Sequence, residues 1–129
     1  MSPLVSKATE TFLAENAICT LTTARPDGSF HVAPVRFTWD GQAGLVRVMT
    51  IGTRRKARNV SEHPGARATV CQLVDYRWVT LEGPATVSDD PVRIAAGARR
   101  YALRYHSLPP SLPGMVVIEI QVDRVLGQH

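Results

Sequence analysis

Acidic residues are missing from the whole stretch between Asp40 and Glu62, lysine occurs only at positions 7 and 56, aromatics make up 6% of the chain, and there are two cysteines. Each shortage removes a class of function. Cys19 and Cys71 lie far apart, form no CxxC pair and have no histidine at zinc-ligand spacing, so no metal centre is expected. Both fall in apolar runs and read as core filler. The aromatics are too few, and too little interleaved with basic residues, to build a base-stacking platform, so a nucleic-acid partner is not expected despite a net charge of +4 and a pI near 9.6. No apolar run is long enough to cross a bilayer, and neither a signal-peptide nor a lipidation pattern occurs, so a cytoplasmic protein with no membrane partner is expected. Repeats, GxGxxG and GxxxxGK[ST] are absent, which leaves no support for a Rossmann or Walker phosphate site.

What is present suits a folded globular chain: 129 residues, 44% hydrophobic and 20% charged. That length fits one domain, 1–129, with a real core. A helix is expected over 6–16, capped by Ser6 and burying Ala8, Phe12 and Leu13. A strand over 17–23 leads into Arg25-Pro26-Asp27-Gly28, a strong turn signal, and a return strand over 30–39. Pro34 cannot donate to a ladder and marks an edge, a bulge or a place where pairing stops. Further strands are expected over 45–51, 66–74, 78–88 and 115–122, with Gly83-Pro84 bending the fifth or breaking its pairing. Asp89-Asp90-Pro91 starts a helix that runs to Tyr105. Six strands with a short helix after the third and a longer one before the last give a small antiparallel barrel decorated by helices.

One stretch is electrostatically odd. Arg54, Arg55, Lys56 and Arg58 place four cations within five residues, at the start of a short helix that His63-Pro64-Gly65 ends. With Thr53 as N-cap, three of them occupy the first turn, where the macrodipole favours acids. A solvated face is one reading, because such cations cost only about 0.3–1 kcal/mol each. The other is an anion site, where free backbone N–H groups and basic side chains receive a phosphate or carboxylate.

The segments AICTLTTARPDGSFHVAPVRFTWD, TIGTRRKARNV, HPGARATV, RWVTLEGPATV and VVIEIQVDRVLG, in that order and spacing, resemble the split β-barrel flavin and deazaflavin oxidoreductases related to pyridoxamine phosphate oxidase. Within that family the likeness is to the branch using the deazaflavin coenzyme F-420, and to its biliverdin-reductase-like members. The resemblance implies a mainly β, six-stranded antiparallel split barrel that forms a homodimer with cofactor sites at the interface. It implies a reductase passing a hydride from reduced coenzyme F-420 to a small conjugated organic molecule such as biliverdin, with no metal. Thr50 would bond the phosphate side of the cofactor, and Arg54 and Lys56 match the family's phosphate-binding pair, with Arg55 between them. Arg58 is set toward an acidic tail. Pro34, Val35 and Arg36 sit where the ring and its neighbours are expected, and Trp78 where the partner subunit covers the cofactor.

No protein nucleophile is expected, because the ring carries the redox chemistry and the protein orients it. Arg36 is a candidate for orienting substrate, by pairing with a carboxylate, or for relaying a proton; a tyrosine or water could also supply that proton. Two alternatives remain open: an FMN-dependent oxidase or reductase of the same superfamily, since FMN also presents a phosphate, and a non-catalytic flavin- or deazaflavin-binding protein. Other residues have plain structural readings. His31 reads as a satisfied interior or interface histidine, His63 as a helix-end residue, Tyr101 and Tyr105 as packing or interface residues four apart on one helix, and Trp78 equally as core or dimer seam.

Overall fold

The computed structural model describes residues 4–127. Its elements, in chain order, are α1 (Lys7–Leu13), β1 (Cys19–Ala24), β2 (Phe30–Val35), β3 (Phe37–Asp40), β4 (Leu45–Ile51), α2 (Arg55–Ser61), β5 (Arg67–Val74), β6 (Arg77–Ser88), α3 (Pro91–Tyr105), β7 (Met115–Gln121) and β8 (Arg124–Gly127). Strand neighbours run β2-β1-β5-β6-β7-β4-β3, with β8 also on β6, and every pairing is antiparallel.

The twelve-residue β6 joins the two halves of the barrel. It stays with β5 from Arg77 to Pro84, while its other side pairs with β8 up to Glu82 and with β7 from Ala85 onward. Gly83-Pro84 is therefore where the strand changes partner, without ending. A Cβ at Gly83 would overlap the Gln121 carbonyl, so only glycine lets the chain leaving β7 pass this closely. Phe37, Leu21, Leu81, Ile118, Ile120, Val46, Val48, Val70 and Val79 are completely buried between the two halves, each contributing roughly 1.5–3 kcal/mol.

The expected count of six strands becomes eight. The return strand breaks at Arg36, two residues beyond Pro34, giving β2 and β3. Pro34 keeps its register opposite Thr20, which an edge strand tolerates because one side of it makes no ladder. β8 is only four residues long and follows Val122 and Asp123 with no turn signal before it, so no periodicity marks it. Two local expectations also shift. In α1 Thr9, bonded to Ser6, is buried in place of Ala8. In α2 the N-cap is Arg54, not Thr53, and no side chain caps that end.

The position of α3 decides the site. Asp90 caps it through the Val92 N–H at 2.9 Å, and Pro91 takes its first turn. Arg104 anchors its far end: buried between the rings of Phe37 and Tyr105, the guanidinium donates to the carbonyls of Glu15 and Phe37 and to Gln72 Oε1, at 2.6–3.0 Å. Nearer its start, Arg93 and Arg100 donate to Glu119 and Asp40, the acids that also hold buried Arg47. Burial works against the Asp40 carboxylate, but the Arg47 hydrogen bond, the Ala43 N–H and the Arg100 charge outweigh it and hold its carboxyl below the usual range.

Candidate functional site

The break between β2 and β3 turns Arg36 outward beside α3. Its Nη1 donates to the Tyr101 hydroxyl at 3.2 Å, and its guanidinium lies 5.2 Å from the centre of the Tyr105 ring. The hydrogen bond to Tyr101 and the nearby phenol raise the Arg36 pKa further above its ordinary value. Tyr105 donates to the Phe37 carbonyl at 2.7 Å, and burial pushes its phenol well up, so it remains a neutral donor. Tyr101 and Tyr105, expected to be packing residues, thus fix the direction of an otherwise free arginine. A spacing of four on one helix face was the sequence signal for that pair; their partner 65 residues upstream was not readable from it.

A cleft of about 220 Å³ opens at this break. Pro34, Val35 and Arg36 form one wall, Val48 and Met49 of β4 the floor, and Lys56 of α2 one end, with Tyr101 and Pro109-Pro110 opposite. The structure therefore brings Pro34, Val35, Arg36 and Lys56 together on one surface. Apolar strand residues make the flat part, and cations stand at its edges.

Lys56 is half-buried and makes no hydrogen bond or ion pair with any described residue. Burial, and then the Arg54 charge, lower its pKa from the ordinary lysine value. Arg54 likewise has no side-chain partner among the described residues. Arg55 reaches Asn59 Oδ1 at 3.4 Å, a long contact that leaves most of its donors open. Arg58 instead forms an i,i+4 pair with Glu62 at 3.4 Å on the exposed face. Because α2 has only seven residues, its dipole is small, and attraction for an anion rests on these side chains more than on the helix.

His31 departs from the first of its two expected readings, interior or interface. Its Nδ1 is shielded from solvent and has no hydrogen-bond partner among the described residues, so it is not a satisfied interior histidine. Burial first, and then the charges of Arg25, Lys56 and Arg55, push its pKa below 6.5. A neutral imidazole thus faces the same basic cluster from β2. Arg25 joins from the β1–β2 turn, where its guanidinium donates to the Phe30 carbonyl and Asp27 accepts from Ser29. Neither residue was found by sequence reasoning, because strand register, and not spacing, brings them to α2.

Thr50 is buried near the end of β4, next to Met49, and no described residue engages its hydroxyl. Trp78 lies elsewhere: it pairs with Leu73 where the β5–β6 hairpin closes, 44% exposed, and is not part of the cleft wall. A second hollow of about 240 Å³ between α1 and α3 has Glu10, Trp39 and Arg100 in its walls and none of the α2 cations. Of these two hollows, the first is the one lined by an α2 cation, Lys56. Among the described residues no group of histidine, cysteine and carboxylate side chains could hold a metal.

The profile of the pyridoxamine 5'-phosphate oxidase family matches residues 5–129. The chain belongs to this family. A biliverdin reductase dependent on reduced coenzyme F-420, from Mycobacterium tuberculosis, is 41% identical over 116 residues, spanning 90% of this chain and 82% of that protein. Among solved structures, an F-420 reductase superposes with a TM-score of 0.73 at 24% identity, over 95% of this chain and 98% of its own. A conserved hypothetical protein of Mycobacterium tuberculosis superposes with a TM-score of 0.77 at 21% identity, over 97% of this chain and 85% of its own. Within the family, the two structural likenesses establish the split-barrel fold, here with eight strands.

Proposed function

We propose that this protein is a reductase that uses coenzyme F-420 to reduce a conjugated organic acceptor, with biliverdin as the acceptor named for its 41% identical relative. The observation that carries this reading is the cleft: an apolar strand wall next to unpartnered Lys56 and Arg54 and an unpartnered His31 Nδ1. Those residues fit a planar ring joined to a phosphate. When bound, the reduced deazaflavin supplies a hydride. Pro34 and Met49, backed by the buried Val35 and Val48, give the ring a dry surface, while Lys56, Arg54, Arg55 and Thr50 hold its phosphate. Arg58, on the outer face of α2, meets the acidic tail by exchanging its pairing with Glu62. Arg36, held by Tyr101, pairs with an acidic group of the acceptor, and these two are the protic side chains closest to it on the wall.

A homodimer completes the site in this reading. Phe30, Val32, Leu73, Trp78 and Leu126 are 44–70% exposed and lie on one face of the sheet made by β2, β1, β5, β6 and β8. Five large apolar side chains exposed on one sheet face, with threonines between them, suit a second copy. Trp78, absent from its own cleft, would then cover the cofactor of the partner.

Parallel titration with F-420 and FMN, followed by biliverdin reduction with whichever reduced cofactor binds, tests the proposal. Tight F-420 binding and turnover are expected. FMN is the second reading, favoured by the phosphate cluster alone; the further cation Arg58 argues for the longer, acidic tail of F-420. Tight FMN binding with no affinity for F-420 would reject the deazaflavin assignment.

A further inference from the structure

The cleft continues past Met49. A neighbouring hollow of about 270 Å³ lies between α3 and the 107–113 segment and shares Met49, Pro109 and Pro110 with the cleft. Ala98 of α3 and Leu108 and Leu112 of the segment form much of the rest, and no charged side chain lines it. Leu108 is 77% exposed and Leu112 48% exposed, so two leucines stand against an apolar hollow without collapsing into it.

Covalent stiffness explains why they stay open. Pro109, Pro110 and Pro113 fix their backbone angles, His106 leaves α3 in the left-handed conformation at φ 56°, and the Gly52 N–H holds the far end by bonding the Gly114 carbonyl at 2.9 Å. A wall pre-shaped in this way loses little entropy when a ligand fills it. Size points the same way. Neither hollow alone reaches the roughly 300–1,000 Å³ of a small-molecule site, but the two joined do.

We infer that this annex is the acceptor subsite: it binds the apolar part of an extended, conjugated molecule whose acidic group stays in the cleft with Arg36. The inference rests on the cofactor reading above, since an acceptor reaching from Arg36 into the annex would pass over the shared border of Met49, Pro109 and Pro110, against a ring held in the cleft. Hydride transfer requires such contact, with reacting atoms about 3–3.5 Å apart. Met49 suits a shared wall, because its flexible thioether adapts to ligands of different outline. The site thus divides by chemistry, with cations for the cofactor and for the acid of the acceptor, and aliphatic surface for the acceptor's rings.

The test uses the full chain carrying Leu112→Asp, on the exposed segment, and Ala98→Phe, which fills the annex; thermal melts followed by circular dichroism establish folding. Binding of anilinonaphthalene sulfonate, an apolar anion, is read by fluorescence, and F-420 affinity is measured separately. The wild type should bind the probe saturably, and each variant about tenfold more weakly, the loss expected for one buried leucine-sized contact. F-420 affinity should be unchanged, and KM for biliverdin should rise with kcat nearly constant. Probe binding equal to wild type in both variants overturns the subsite, as does equal loss of probe and F-420 binding. Should Ala98→Phe fail to fold, Leu112→Asp decides alone. If the wild type binds no F-420, the cofactor reading falls, while the probe measurements still judge the annex.

Discussion

Two sets of cations in this barrel are treated in opposite ways. Arg47, Arg93, Arg100 and Arg104 lie under or along α3, and each finds oxygens within 3.3 Å. Arg54 and Lys56 begin α2 with no side-chain partner among the described residues. The first set spends its donors holding the fold together, on the carboxylates of Asp40 and Glu119 and the carbonyls of Glu15 and Phe37. The second has no acceptor for its donors among the described residues. Counting basic residues could not separate the two sets; the positions of Asp40, Glu119 and the Glu15 carbonyl do.

The largest expected effect breaks the first set. Arg104→Met should lower unfolding free energy by about 3 kcal/mol, because the Glu15 carbonyl loses the guanidinium, Gln72 Oε1 keeps only the weak Cys19 thiol and the Phe37 carbonyl keeps only Tyr105. Urea denaturation measures it, and a loss under 1 kcal/mol would mean that water replaces the guanidinium there. The second set should respond the other way round. Lys56→Ala should weaken cofactor binding by about 1.5–3 kcal/mol, the worth of a hydrogen bond to a charged group, and leave the urea midpoint nearly unmoved. Unchanged affinity in a fluorescence titration would reduce the α2 cations to a solvated face.

The smallest effect concerns His31, and it sharpens the contrast. Its folded pKa lies below 6.5, so between that value and 6.5 the unfolded chain binds more protons than the folded one. Stability should therefore rise as pH increases through this window and flatten above it. An anion at the cluster reverses the sign, because it favours imidazolium. NMR titration of the His31 ring should give a pKa below 6.5 for the free protein and an upward displacement on adding pyrophosphate. A ring that titrates identically with and without pyrophosphate would remove His31 from the anion site.

Much of the fold was legible along the chain. Leu45–Ile51, the Asp90-Pro91 helix start and the Ser6 cap follow from alternation and capping, which are local, and the structure keeps them. The misplaced strand end at Arg36 had a different origin. Pro34 marked an edge, a bulge or a stop in pairing; it lies on the edge strand β2 with its register kept, and the strand breaks only at Arg36, which reaches Tyr101. The site was legible in part. Lys56 and Arg54 stand out because no acid is near them in sequence, whereas His31 and Arg25 gave no signal, since only the β1–β2 register brings them to α2.

By itself, then, the sequence determined the local elements, the uncompensated charge at 54–58 and, through its resemblance and 41% identical relative, the family. Periodicity, capping and charge spacing act over a few residues, and neighbours in the chain suffice to express them. Tertiary structure alone decided which arginines are consumed by the fold, where Arg36 points and which apolar segments enclose the annex beside Met49. Those depend on contacts between residues up to 89 positions apart, set by how β6 changes partner and how Arg104 seats α3.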